Sequence, residues 1–150
     1  MSDPNSDARL SGLYQELILD HYRRPRNKGA LEAPTGSASL RNPLCGDEIE
    51  VQVELREGRV ADVRFSGRGC SISQASASMM TELVKGQTPD EVRALGERFA
   101  AMIRGDAAAA SDEVLGQARA LSGVSRFPTR VRCAMIAWEA MARAAADPRD

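Results

Sequence analysis

Several residue types are scarce in this chain, and each scarcity removes a class of function. There is one histidine, His21, so hydrolase triads and multi-histidine metal centres are poorly supplied. There are three cysteines, Cys45, Cys70 and Cys133, an odd number that cannot close a disulfide framework. No apolar run approaches the roughly 18 residues needed to cross a bilayer. The opening stretch, MSDPNSDARL, has neither the basic start nor the apolar centre of a secretory signal, which points to a cytoplasmic protein with no membrane partner. No glycine-rich phosphate loop occurs: SGRGC has two glycines and little else of that pattern. A formal net charge of −1 gives the chain no general attraction to nucleic acid.

What is present fits one domain over residues 1–150, with frayed ends at 1–8 and 147–150. Apolar content of 43% and charged content of 27% are those of an ordinary globular chain. All but two of the 20 basic residues are arginine. Composition bias explains this, or else an arginine-lined docking face for an acidic partner. Arg119, Arg126, Arg130 and Arg132 could form such a rim around the third cysteine, or a solvated helix face.

The order of elements reads as α+β. Leu10, Leu13, Tyr14, Leu17, Ile18 and Tyr22 fall at helical spacing, and Pro25 ends the pattern. Residues 27–42 form a loop with a short edge strand near Ser39. Ile49, Val51, Val53 and Leu55 alternate with Glu48, Glu50, Gln52 and Glu54, which predicts a half-buried strand. A turn at Gly58 leads to Ala61, Val63 and Phe65 as the partner strand of a hairpin. After SGRGC the period changes to about 3.6. Ile72, Ala75, Met79 and Leu83 make a helical stripe that Gly86 stops. Thr88, Pro89 and Glu91 form a capping signal for a helix through Val92, Leu95, Phe99, Met102 and Ile103. A shorter helix is expected from Ser111, with Asp112 and Glu113 at its positive end. The last helix starts near Pro128 and carries Val131, Met135 and Trp138 on one face. Helices after a hairpin predict a small antiparallel sheet of about three strands with helices laid on one face.

The cysteines sit where elements meet. Cys45 precedes the first clear strand, Cys70 lies at the strand-to-helix switch, and Cys133 lies in the first turn of the last helix, pointing away from its expected apolar face. They are inert core thiols, a reactive nucleophile, or metal ligands. Zinc takes thiolate, imidazole or carboxylate ligands in a tetrahedron, and Cys45, Asp47, Cys70 and Cys133 would complete one. Gly46 would let Cys45 and Asp47 converge; it could equally belong to a plain turn, with Asp47 solvated. His21 reads as a capping or surface residue rather than a ligand.

LYQELILDHYRRPRNKG, NPLCGDEIEV, GRGCSISQASASMM and RVRCAMIAWEAM, in that order, resemble the NifU-N/IscU-like proteins of iron–sulfur cluster assembly. The scaffold branch of that family has a histidine directly before its third cysteine; here the residue is Arg132. Its chaperone-recognition motif is absent from SRFPTRVRC, and the interval from Cys70 to Cys133 is longer than in scaffolds. These departures resemble the SufU-type branch of zinc-dependent sulfurtransferases. The resemblance implies a SufE/NifU-like fold and zinc held by Cys45, Asp47, Cys70 and Cys133. It implies a SufS-like pyridoxal-phosphate cysteine desulfurase as partner. A histidine of that partner takes a place at the zinc and frees Cys45 to accept sulfur, and Arg132 stands beside the site. The alternative it carries is a scaffold holding a [2Fe–2S] cluster. Either protein is expected as a monomer or weak homodimer.

Overall fold

The strict alternation after Asp47 builds the centre of the sheet. The computed structural model describes residues 4–43 and 46–146, with side chains from residue 14 onward. Strand β2 (Asp47–Arg56) turns Ile49, Val51 and Val53 fully inward and leaves Glu48, Glu50, Gln52 and Glu54 half exposed. Such a strand has one dry and one wet face. It pairs antiparallel with β3 (Arg59–Arg68) through a two-residue turn. Glu57 (φ 54°) and Gly58 (φ 77°) both take positive φ there, the backbone of a type I′ hairpin turn. The expected edge strand is real and longer than Ser39 suggested: β1 (Gly36–Asn42) pairs antiparallel with β2, from Gly36 opposite Val53 to Asn42 opposite Asp47. The sheet order is β1-β2-β3.

The helices pack on the dry face. Helix α1 (Pro4–Arg23) stops before Pro25, as expected. Its backbone is helical from Pro4, inside the stretch expected to fray; residues 1–3 and 147–150 lie outside the described residues. Tyr14, Leu17 and Ile18 pack on the core. Tyr22, expected to extend that stripe, is instead exposed, and the residue buried in its place is His21. Helix α2 (Ser71–Val84) is buried on almost every side from Ser73 to Thr81. It lies against α1, β3 and the last helix. Helix α3 (Pro89–Ile103) begins with the full capping box: Thr88 Oγ1 accepts from Glu91 N, and the Glu91 carboxylate accepts from Thr88 N.

Two expectations need correction. The helix assigned to start at Ser111 does not. Ser111 closes a four-residue helix, α4 (Ala107–Ala110), and a 3₁₀ segment (Glu113–Arg126) follows, capped by Asp112 Oδ1 accepting from Val114 N. Gly116 breaks that segment with φ 49° and ψ −132°, a conformation open to glycine and outside any helix. The second correction concerns α5 (Pro128–Ala145). Trp138 is buried as expected and stacks on Phe99, but Val131 and Met135 are only partly buried, and the buried surface extends through Cys133, Ile136, Ala137, Ala140, Met141 and Ala144. Cys133 therefore points into the protein. It also lies in the second turn, because Pro128 opens the helix. Small alanines on this face let α5 lie close to β1 and β2.

Among the described residues no helix is long and apolar enough to cross a membrane.

Candidate metal centre

Three elements end at one place. Asp47 is the first residue of β2, Cys70 is the N-cap of α2, and Cys133 comes from the start of α5. A carboxylate oxygen of Asp47 and the sulfurs of Cys70 and Cys133 all lie within 4.8 Å of one another. Asp47 is 1% exposed and Cys133 fully buried, while Cys70 is half-buried and gives the cluster its opening to solvent. Asp47 is therefore not the solvated turn residue that the sequence left open.

Local chemistry explains the convergence. The backbone N–H of Cys70 donates to Asp47 Oδ1 at 3.0 Å, which fixes the carboxylate against the start of α2. That approach needs Gly69. A Cβ there would lie 2.4 Å from Asp47 Oδ1 and 2.4 Å from Ser73 Oγ. Gly67 serves the same junction, since its Cβ would fall 1.9 Å from the Glu48 carbonyl oxygen. The two glycines of SGRGC thus allow the close approach of backbone and side chains at this junction. On the other side, Ser76 Oγ donates to the Ala134 carbonyl at 2.6 Å and ties α2 to α5 one residue beyond Cys133. Gly46, with φ 73°, is in a left-handed turn, and its N–H donates to the Asn42 carbonyl at 2.9 Å. Cys45, the fourth candidate ligand, lies outside the described residues.

Asp47, Cys70 and Cys133 suit a borderline-soft divalent ion that prefers sulfur and accepts carboxylate. They bring negative charge to one point, and an arginine answers it. The guanidinium of Arg130 faces both sulfurs: Coulomb attraction to Cys70, then a hydrogen bond to it, then attraction to Cys133 all favour its cationic form. The family resemblance implies Arg132 as the site-adjacent arginine. Arg132 instead reaches Glu139, with Nη1 3.3 Å from Oε1, and is largely exposed. The helical period explains the difference. Arg130 and Cys133 are three residues apart and share a face of α5, whereas Arg132 is rotated about 100° from Cys133.

His21 takes no part in this cluster. It is buried, not a surface residue: Nε2–H donates to Gln117 Oε1 (2.6 Å) and Nδ1 accepts from Ser78 Oγ (2.7 Å). Ser78 Oγ in turn accepts the Arg26 N–H at 2.8 Å. Burial lowers the His21 pKa below its ordinary value, and the Gln117 hydrogen bond opposes that shift.

Comparison with known proteins agrees with this geometry. The NifU-like N terminal domain model matches residues 13–134. The chain is 41% identical over 140 residues to the zinc-dependent sulfurtransferase SufU of Bacillus subtilis, covering 93% of this chain and 94% of that protein. It is 40% identical over 137 residues to the iron–sulfur cluster assembly scaffold protein IscU of Streptococcus pyogenes, covering 91% and 85%. The crystal structure of the N-terminal part of a nitrogen-fixing NifU-like protein from Brucella abortus superimposes with a TM-score of 0.82 at 25% identity, covering 91% of this chain and 94% of that one. The chain belongs to the family of NifU-like N-terminal domains.

Proposed function

We propose that this protein is a zinc-dependent sulfurtransferase of iron–sulfur cluster assembly, accepting sulfur from a SufS-like cysteine desulfurase in the cytoplasm. The observation that carries the reading is the convergence of Asp47, Cys70 and Cys133 within 4.8 Å. Zinc would be held by these three and Cys45. When bound, zinc keeps its cysteines as thiolates at neutral pH without redox chemistry of its own.

The chain's residues do the rest. Cys45 is the acceptor. Its thiolate attacks the outer sulfur of the desulfurase's persulfide; a new sulfur–sulfur bond forms, the donor's bond breaks, and the donor cysteine leaves as a thiolate. Gly46, the chain neighbour of Cys45, is the pivot about which Cys45 would exchange while Asp47 stays tied to the Cys70 N–H. Burial of Asp47 and Cys133 keeps water from these two ligands, and the half-buried Cys70 marks the open side of the site. Arg130 places a permanent positive charge against the sulfurs, where the incoming anionic persulfide must approach.

The Streptococcus relative carries the name of a scaffold, so a [2Fe–2S] scaffold is the second reading. Two features favour sulfur transfer: the residue before Cys133 is Arg132 rather than histidine, and the long interval between Cys70 and Cys133 includes the 3₁₀ segment Glu113–Arg126. Elemental analysis of untreated protein, with desulfurase turnover measured with and without it, tests the proposal. About one zinc per chain and faster turnover are expected. A visible cluster chromophore that passes to an apo-protein, without stimulation, would transfer the conclusion to the scaffold.

A further inference from the structure

Among the described residues, three buried side-chain polar atoms have no hydrogen-bond partner: the indole Nε1 of Trp138, and both Oε1 and Nε2 of Gln74. Gln74 is 4% exposed. A buried amide with both ends unpaired is held against a desolvation cost. A leucine or methionine would fill the same space without that cost.

The position of Gln74 suggests what the amide is for. It lies four residues after Cys70, and its own backbone N–H donates to the Cys70 carbonyl at 3.1 Å. Residues four apart share a helix face, and helical side chains lean toward the N-terminus. That spacing sets Gln74 one turn into the helix that Cys70 caps, with its carboxamide buried and making no hydrogen bond. The other buried polar side chains nearby are already committed. Ser73 Oγ donates to the Cys70 carbonyl (3.0 Å), Ser76 Oγ to the Ala134 carbonyl (2.6 Å), and Ser78 Oγ is engaged with His21 and Arg26. Among the described buried residues, Gln74 is the one on α2 whose side-chain donors are unused.

We propose that Gln74 is a positioning residue of the metal centre, its Nε2–H donating to the Cys70 sulfur when that sulfur is a metal-bound thiolate. A thiol is a weak acceptor, while a charged thiolate makes an N–H···S bond worth forming. Outer-shell donors of this kind fix the orientation of a ligand and hold it on the ion. Held in this way, Cys70 would stay in place during any exchange at Cys45. The inference rests on the metal-binding reading above.

The test uses the full chain, nitrogen-15 labelled and titrated with cadmium-113. The Gln74 side-chain amide protons should shift on loading and show scalar coupling to the metal. In a zinc competition with a chromophoric chelator, Gln74→Met should bind about tenfold more weakly. Its metal-free form should unfold at the same or a higher temperature. Cadmium bound at the cysteines with the Gln74 amide signal unmoved would overturn the proposal, as would Gln74→Met with native zinc affinity. Failure of the native chain to take up cadmium would instead overturn the metal-binding reading itself. Should Gln74→Met not fold, the spectrum of the native chain decides alone.

Discussion

The Cys70 N–H and Asp47 Oδ1 meet at 3.0 Å across a gap that only the missing side chain of Gly69 leaves open. The start of β2 and the start of α2 are fastened there, and both ends carry a candidate ligand. Gly69→Ala puts a methyl group 2.4 Å from that oxygen and from Ser73 Oγ. Neither can retreat cheaply, since Asp47 is buried and Ser73 Oγ is bonded to the Cys70 carbonyl. The expected cost is about 1–3 kcal/mol of stability, as for other overpacked sites. Zinc content should fall with it. Urea unfolding and elemental analysis of the same preparation check both; a variant with native metal content would show that the Asp47–Cys70 junction does not hold the ion.

The ligand set predicts two kinds of cysteine. Cys133 is fully buried and Cys70 caps a helix, so Cys70→Ala and Cys133→Ala should lose most bound zinc and much stability together. Breaking a structural zinc site removes binding energy that is also folding energy. Cys45→Ala should differ. Molecules of this variant that retain zinc should still fail to stimulate the desulfurase or to carry persulfide, as mass spectrometry of the trapped protein would show. Equal persulfide loading in Cys45→Ala would move the acceptor to Cys133.

Arg130 and Arg132 offer an internal comparison. Both are exposed arginines near the start of α5, yet only Arg130 faces the sulfurs. Arg130→Ala is expected to slow sulfur transfer about tenfold, because it removes the positive charge that faces the Cys70 and Cys133 sulfurs. Arg132→Ala removes an exposed ion pair with Glu139, worth at most about 1 kcal/mol, and should leave transfer close to native. Matched desulfurase assays at low and high salt separate the two. Equal effects would mean that the arginines act as one docking surface.

Much of this was legible before any coordinates. The alternation from Glu48 to Leu55 and the capping box at Thr88–Glu91 are local signals, and both elements formed as read. Cys133 was misread because helical periodicity ranks apolar residues and α5 is buried over most of its circumference. Its alanines give no stripe to choose from, so Val131, Met135 and Trp138 mark only part of the buried surface, and of the three only Trp138 is fully in the core. The segment after Ile103 failed for a different reason. Alanines at 107–110 and the break at Gly116 divide it into pieces too short to show a period. Arg130 stands in the sequence as one member of an arginine rim, and its three-residue offset from Cys133 is the helical signal that separates it from Arg132, which is adjacent in sequence but not on the helix face. Gln74 had none, because an unpaired amide is visible only once its surroundings are known.

His21 sets an acid limit on the fold. Both ring nitrogens are engaged in the neutral form: Nε2–H donates to Gln117 Oε1, and Nδ1 accepts the Ser78 hydroxyl proton. Protonating Nδ1 sets two donors face to face unless Ser78 turns its hydrogen away, and Ser78 Oγ already accepts the Arg26 N–H. Burial disfavours the charge as well, with Arg26 against it and Asp20 and Glu82 partly offsetting. The folded pKa therefore lies below the ordinary value of 6.5. In the window between the two values the unfolded chain binds more protons than the folded one, so stability falls as pH drops through 6.5 and levels off below the folded pKa. Because the network joins α1, α2 and the 3₁₀ segment, the loss should be felt across the helical layer. Urea midpoints at about pH 7.5 and 5.5 should differ more for the native chain than for His21→Gln, which has no group titrating there. An identical pH response in the two proteins would place the acid sensitivity on the carboxylates instead.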